Sequence, residues 1–366
     1  MSVAPVKPLI AIACGGTGGH LFPGLAVGEA LRAHGCDVTL LISPKEVDQQ
    51  AVKSAYGFGI ATLPAVAFQA RAPHRFAFGF TRSFFASRKL FSERAPRAVL
   101  AMGGFTAAPP VFAGKLCGAA TFLHESNTVP GRANRWLARW VDAAFVGFPE
   151  AATRLANKHV VIAGTPVRPQ FVGLDTTRCR VALDLDSQRP VLLITGGSQG
   201  ASGVNDLLLA ALPQLIAKLP ELQFIHLTGP SDADKVRAIY AAHHARTIVQ
   251  PFLAQMELAL GAATAVVSRA GASSLAELAA TGLPAVLVPF PAAADNHQFF
   301  NARAFAETGA AKMLEQKSGA DERLVGMLIE LLNDAVARNA MTAALARWHV
   351  PNAAEQIAAR ILQVIR

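Results

Sequence analysis

The stretch Leu9-Ile10-Ala11-Ile12-Ala13-Cys14-Gly15-Gly16-Thr17-Gly18-Gly19-His20-Leu21-Phe22-Pro23 decides the class of fold. Its apolar opening carries no polar residue, so it reads as a strand buried on both faces; a strand with one solvated face would alternate. The glycines give a tight turn, and a helix opens at Phe22-Pro23. Moving outward, similar short runs recur at Val38–Ile42, Ala98–Met102, Ala120–His124, Ala143–Val146 and Val160–Ala163. A second set follows at Val191–Thr195, Gln223–Thr228, Thr247–Gln250, Ala265–Ser268 and Ala285–Pro289. Longer Ala/Leu/Arg segments separate them, as parallel strands require. The class is α/β, doubly wound.

One plan occurs twice. Val191–Thr195 runs into Gly196-Gly197-Ser198-Gln199-Gly200-Ala201, as Leu9–Cys14 runs into Gly15–His20. Later in the first half comes Val99-Leu-Ala-Met-Gly-Gly-Phe-Thr106, matched in the second by Val266-Val-Ser-Arg-Ala-Gly-Ala-Ser-Ser274. A chain of 366 residues is too long for one ordinary domain. Two Rossmann-like domains joined near Gly164–Pro190 are expected, over residues 1–165 and 166–350, with a final helix in 351–366.

Composition bounds the function. Hydrophobic residues make up 52% and charged residues 16%, which excludes disorder and suits large cores. Gly, Pro or Arg breaks each apolar run before the ~18 residues of a membrane span, and Leu9–Ala13 is too short for a signal peptide. Cys14, Cys36, Cys117 and Cys179 form no C-x-x-C pair and read as small buried hydrophobes. The formal charge of +9 favours anionic partners, but no nucleic-acid module accompanies it, so nucleic acid is set aside. Between Asp48 and Glu93 no acid occurs, while Lys53, Arg71, Arg75, Arg82, Arg88 and Lys89 alternate with Phe76, Phe78, Phe80, Phe84 and Phe85. Arg71–Lys89 is therefore expected to face an anionic membrane surface, each basic residue contributing ~1 kcal/mol. The competing reading has the phenylalanines in the core and the arginines merely solvated.

Glycine-rich turns between strand and helix let backbone N–H groups approach phosphate. Gly15–His20 is neither G-x-G-x-x-G nor a P-loop, and no acid closes Val38–Ile42, so NAD and ATP are disfavoured. His20 beside such a turn suits a base near neutral pH. Gly15, Gly16, Gly103, Gly104, Phe105 and Thr106 form two small-residue loops suited to a pyrophosphate. His124-Glu125-Ser126-Asn127 is either a polar cluster at that crevice or a helix cap formed by Ser126 or Asn127. In the second half, Ser198 and the N–H groups of Ala272, Ser273 and Ser274 suit a diphosphate, and Glu277 suits both hydroxyls of a ribose. The amides of Asp295-Asn-His-Gln298-Phe-Phe-Asn301 suit a sugar. Asp184-Leu-Asp186 precedes its strand and Asp232-Ala-Asp234 lies in a first helical turn, so no metal and no other cofactor is expected.

Taken together and in order, these segments resemble the MurG family of bacterial cell-wall glycosyltransferases, which add N-acetylglucosamine to lipid I. The resemblance is carried by Gly15–Ala26, Met102–Thr106, His124–Asn127, Gly164-Thr-Pro-Val-Arg168, Gly196–Ala201, Ser268–Glu277 and Asp295–Ala302. It implies a GT-B fold, two Rossmann-like domains facing across a cleft, with the last helix returning to the first domain. It implies UDP-N-acetylglucosamine held by Ser198, Leu253, Ala272, Ser273, Ser274, Leu275, Ala276, Glu277 and Gln298, with Thr17, Gly18, Gly19, Asn127 and Arg168 contributing from the first domain and the hinge. Members vary around Ser126 and His297, so the resemblance gives those two no role.

The implied reaction is one inverting displacement, in which a base takes the proton from the acceptor's C4 hydroxyl and UDP leaves. His20 and Glu125 are both candidates, the latter if apolar surroundings raise its pKa. The implied location is the cytoplasmic face of the inner membrane, with lipid I and other cell-wall and division proteins as partners. A diacylglycerol glycosyltransferase, a UDP-N-acetylglucosamine epimerase and a non-catalytic sugar-nucleotide sensor are the competing readings.

Overall fold

A computed structural model gives the structure of the chain and describes residues 7–16, 18–45, 48–49, 52, 55–64, 73–197 and 200–365. Two compact units form, one from Met1–Arg168 with Val350–Arg366 and the other from Pro169–His349.

The first unit holds strands β1 (Leu9–Ala13), β2 (Asp37–Ile42), β3 (Gly59–Thr62), β4 (Ala98–Ala101), β5 (Ala120–Glu125), β6 (Ala143–Val146) and β7 (Val160–Ile162). They pair in parallel in the order β3-β2-β1-β4-β5-β6-β7. Its helices are α1 (Gly18–Ala33), α2 (Pro73–Glu93), α3 (Ala108–Leu116), α4 (Arg132–Leu137) and α5 (Pro149–Ala152). Successive side chains of a strand point to opposite faces, so each apolar run supplies two cores. Ile10, Ile12, Leu40 and Leu100 join α1 residues on one face; Ala11, Ala13, Leu41 and Val99 join Phe91 and Val111 on the other.

The second unit repeats the plan with β8 (Val191–Thr195), β9 (Gln223–Leu227), β10 (Thr247–Gln250), β11 (Ala265–Ser268), β12 (Ala285–Leu287) and β13 (Lys312–Met313), ordered β10-β9-β8-β11-β12-β13. Around this sheet lie α6 (Thr176–Ala182), α7 (Ser202–Lys218), α8 (Ala233–Ala242), α9 (Met256–Ala262), α10 (Ala272–Thr281), α11 (His297–Glu307), α12 (Ala320–Asn333) and α13 (Ala335–Ala346). The last helix, α14 (Ala353–Ile365), belongs to the first unit and buries Ile357, Ala358 and Ile361 completely among α1 and β-sheet residues. Each fully buried isoleucine contributes roughly 1.5–3 kcal/mol. His34 pairs with Glu355 at the rim of that contact.

Every strand expected from the sequence is present; Ala143–Val146, Val191–Thr195, Thr247–Gln250 and Ala265–Ser268 keep the expected bounds, and the others differ at their ends by one or two residues. The sequence does not announce β3 and β13. Three of the four residues of β3 are exposed and β13 is two residues long, so neither makes an apolar run.

The strand order places the functional loops. In the first unit the chain leaves β1 toward β2 and leaves β4 toward β5, on the other side. Loops after β1 and β4 therefore diverge and leave a crevice at the strand C-termini, where ligands of open α/β sheets bind. The same holds for β8 and β11. No described helix is long and apolar enough to cross a membrane.

Candidate active site

In the first unit, α1 starts at Gly18 rather than at Phe22-Pro23, which puts His20 in its first turn; Thr17 lies outside the described residues. Gly103 has φ +127°, and a Cβ there would stand 2.9 Å from His20 Nε2 and 3.3 Å from Asn134 Nδ2. Glycine at 103 is thus required twice, by the backbone and by the imidazole lying over the loop. Gly104 continues the turn at φ +78°, and Phe105 begins a short 3-10 turn. Thr106 Oγ1 donates to the Gly15 carbonyl at 3.0 Å and ties the β1 and β4 loops together.

Asp48, which no sequence pattern marks, sits under this turn. It is fully buried, and its Oδ2 accepts from Gly16 N–H (2.7 Å), the Ser43 hydroxyl (2.5 Å) and Ser43 N–H (3.2 Å). Lys45 Nζ donates to the Gly16 carbonyl at 3.0 Å. The Gly16 N–H therefore already has an anionic acceptor. At Gly15 a Cβ would lie 2.4 Å from Ser43 N, so this glycine also answers to packing against the end of β2.

Glu125 ends β5 at 2% exposure, in surroundings that are polar rather than apolar. Oε1 accepts from Asn127 N–H at 2.8 Å and Asn127 Nδ2 at 3.0 Å. Oε2 accepts from Gly131 N–H at 2.9 Å and Asn134 Nδ2 at 2.8 Å. The carboxylate thereby folds the loop 126–131 around itself. Neither Ser126 nor Asn127 caps α4, whose N-cap is Gly131, so the capping reading fails. His124 is fully buried; its Nε2–H donates to the Gly164 carbonyl at 2.9 Å and the Ser126 hydroxyl donates to Nδ1 at 3.2 Å. Burial holds the His124 pKa below its ordinary value. Arg168, at the end of this unit, stacks its guanidinium 4.6 Å from the Phe22 ring centre.

In the second unit, Ser198 and Gln199 lie outside the described residues, while glycines on either side of them are closely packed. A Cβ on Gly196 would meet Ala201 N at 2.4 Å, and one on Gly200 would meet the Thr228 carbonyl at 2.5 Å. Helix α10 begins directly after the β11 loop with no side-chain cap, and its first intrahelical bond runs from Leu275 N–H to Gly271 O. The amides of Ala272, Ser273 and Ser274 precede that ladder and give the helix start its affinity for anions. Ser273, Ser274, Ala276 and Glu277 are half-buried. Leu275 is 1% exposed, so any ligand contact it makes is through its backbone.

Arg269, buried at the same switch point, donates through Nη1 to Val288 O, Pro289 O and Gln316 Oε1 at 3.0, 3.1 and 2.7 Å. Burial pulls its pKa down to about 10. Gln298 Oε1 accepts from Phe290 N–H at 3.0 Å, which leaves its amide N–H2 as the group to offer a sugar. The turn before it is strained: Asp295 and Asn296 both lie in the left-handed region, at φ 49° and 54°. Asn301 is fully buried and donates to the Ala270 carbonyl at 3.1 Å, so it braces α11 rather than facing solvent. His297 donates from Nδ1 to Ala294 O at 2.7 Å. Leu253 is half-buried in the loop after β10, beside exposed Phe252. In the two D-x-D pairs, from which no metal site is expected, Asp232 bonds Asn205 and Asp234 bonds Arg237, while Asp186 engages Gln188 and Arg189.

The basic and aromatic stretch splits by helical spacing. Arg71 lies outside the described residues. Phe80 and Phe84 on α2 pack against the core, and Phe76 contacts Phe80. Phe78 and Phe85 instead stand 64% and 67% exposed, among exposed Arg75, Arg82, Arg88 and Lys89. The aromatic surface extends where the sequence reading did not look: Phe80 meets Phe112, which meets Trp136 and Trp140, both substantially exposed and flanked by Arg132, Arg135 and Arg139. The Arg-Trp alternation of 132–140 was the available signal.

Known proteins match both units of the fold. The model of the glycosyltransferase family 28 N-terminal domain matches residues 10–146, and that of its C-terminal domain matches residues 191–357. The chain is 38% identical to the UDP-N-acetylglucosamine–N-acetylmuramyl-(pentapeptide) pyrophosphoryl-undecaprenol N-acetylglucosamine transferase of Synechococcus elongatus, covering 98% of each. It is similar to the crystal structure of Acinetobacter baumannii MurG, with TM-score 0.73 and 28% identity over 98% of this chain and 99% of that one. A UDP-N-acetylglucosamine 2-epimerase shares the fold alone, with TM-score 0.71 and 13% identity over 98% and 96% of the two chains.

Proposed function

The chain belongs to glycosyltransferase family 28, and within it to the MurG family of N-acetylglucosaminyltransferases; we propose the following account of its reaction. The enzyme moves N-acetylglucosamine from UDP-N-acetylglucosamine to the C4 hydroxyl of N-acetylmuramic acid in lipid I, forming lipid II with inversion. The observation that carries this is the 38% identity over 98% of the chain to a transferase named for that donor and acceptor. Incubation with labelled UDP-N-acetylglucosamine and a short-chain lipid I analogue tests it. Label in the lipid product is expected; label remaining in nucleotide sugar, epimerised or unchanged, would contradict it.

In the mechanism His20 is the base. Its place in the first turn of α1, over Gly103–Gly104, supports this, whereas each Glu125 oxygen already accepts two hydrogen bonds. Glu125 instead holds Asn127 and Asn134 in position. His20 takes the C4 hydroxyl proton as that oxygen attacks the anomeric carbon. The amides of Ala272, Ser273 and Ser274 receive the diphosphate, Glu277 accepts the two ribose hydroxyls, and Gln298 meets the sugar. As UDP departs, charge grows on its diphosphate, and the start of α10 stabilises it.

This chemistry runs without a divalent cation, because the helix start performs the metal's electrostatic role. Of the D-x-D carboxylates, Asp186, Asp232 and Asp234 are engaged in hydrogen bonds and ion pairs of their own. Chelator-treated enzyme is expected to keep its turnover within about twofold. Near-complete loss restored by magnesium would contradict this.

The acceptor's polyprenyl tail stays in the bilayer, so the enzyme works as a peripheral protein at the cytoplasmic face of the inner membrane. Phe78 and Phe85 supply the apolar part of the contact and Arg75, Arg82, Arg88 and Lys89 the charge. Burying one exposed phenylalanine is worth roughly 1.5–3 kcal/mol, so Phe78→Ser with Phe85→Ser should weaken binding to anionic vesicles at least tenfold, by rough estimate. Activity on a soluble acceptor analogue should persist. Unchanged co-sedimentation of the folded double variant would refute the surface.

A further inference from the structure

A buried polar chain in the second unit is left unused by the mechanism. Asn205, in the first turns of α7, is 1% exposed, and its Nδ2 donates to the Thr228 carbonyl at 2.9 Å and to Asp232 Oδ2 at 2.7 Å. Two acceptors on one side fix the amide's orientation, so Oδ1 faces His226 Nε2 at 2.9 Å. His226 is fully buried on β9, and its Nε2 must carry the proton that Asn205 accepts. Its Nδ1 then accepts from the Tyr240 hydroxyl at 3.2 Å, and burial presses its pKa down to about 4, so it stays neutral. Asp232 closes the chain by bonding Ser202, the first residue of α7.

What this chain grips is the glycine loop. Gly200 presses against the Thr228–Gly229 backbone so closely that a Cβ would come within 2.5 Å of the Thr228 carbonyl and 2.6 Å of Gly229 Cα. That carbonyl is the one Asn205 holds. Asp232 meanwhile bonds Ser202, where α7 starts two residues beyond Gly200. Gly200 and the start of α7 are thus clamped between the Thr228–Gly229 backbone and Asp232. A buried polar cluster of this kind is costly unless every member is paired, and here Asn205 has all of its amide bonds directed.

We propose that Asn205 and His226 are positioning residues for the diphosphate of the sugar-nucleotide donor: they set Gly200 and the first turn of α7, which follow the glycine loop, without touching the ligand. The inference rests on the reading of that loop as part of the donor diphosphate site. Breaking the chain should loosen phosphate binding and leave the nucleoside alone.

His226→Phe keeps the ring against Tyr240 and removes the proton given to Asn205. It should weaken UDP about tenfold, raise the KM for UDP-N-acetylglucosamine by a similar factor, and leave uridine affinity and the acceptor KM unchanged. His226→Gln, whose amide reaches the same point as Nε2, should restore UDP affinity to within about twofold. Should the phenylalanine variant not fold, Asp232→Ala interrupts the chain from its outer end and must give the same split between UDP and uridine. Gly200→Ala, which collides with the Thr228 carbonyl, separates the two claims. If it weakens UDP but not uridine while His226→Phe and Asp232→Ala weaken neither, the loop reading stands and the positioning role is overturned. If none of these variants changes UDP affinity, the loop reading falls and the positioning role with it. Equal loss of UDP and uridine in the His226 variant would also overturn the proposal.

Discussion

His20→Ala should reduce kcat about 10²–10⁴-fold, the range for losing a general base, while UDP affinity stays nearly as in the wild type. The split follows from where the residue stands. His20 belongs to the first turn of α1 in the first unit, over Gly103–Gly104, whereas the groups assigned to UDP lie on α10 and the β8 loop of the second. Removing the imidazole takes away the proton acceptor and also empties the space that a Cβ at Gly103 would otherwise contest. Steady-state kinetics with calorimetry of UDP checks both halves. A folded His20→Ala enzyme with turnover within a few-fold of wild type would move the base elsewhere.

Glu277→Ala should weaken UDP and UDP-N-acetylglucosamine alike, by about 10²-fold, because two charge-assisted hydrogen bonds to ribose are worth roughly 1.5–3 kcal/mol each net of exchange with water, and the lower end of that range gives this factor. The carboxylate sits one turn beyond the α10 start, half-buried, on the same helix whose amides are assigned to the diphosphate. Ribose is common to both ligands, so the loss should not depend on the sugar. Calorimetry showing wild-type affinity for UDP in the variant would refute the ribose assignment.

The sequence made much of the fold legible because a strand buried on both faces leaves an uninterrupted apolar run. β3 and β13 escaped that test: one is largely solvated and the other spans two residues. The glycine loops were readable since their residues must take positive φ or admit close backbone, as Gly103 and Gly200 do. Partners brought by folding were not readable. Nothing near Glu125 in sequence reveals that Gly131 and Asn134 will turn back onto its carboxylate, and nothing marks Asp48 as the acceptor for Gly16. The phenylalanines were a different case. Phe76, Phe80 and Phe84 recur at i, i+4 and form one helix face, while Phe78 and Phe85, seven apart, lie on another; helical spacing alone could have separated the core residues from the exposed ones. The His226–Asn205–Asp232 chain joins β9, α7 and the loop after β9, so only the folded chain shows it.

The most direct test of the central claim is the structure of the product formed from UDP-N-acetylglucosamine and a soluble lipid I analogue, read by NMR at the new glycosidic bond. The account predicts a β linkage to the C4 oxygen of N-acetylmuramic acid, one UDP released per bond, and loss of the product in His20→Ala. An α linkage, attachment at another hydroxyl, or UDP release without a new disaccharide would contradict a single inverting displacement on lipid I.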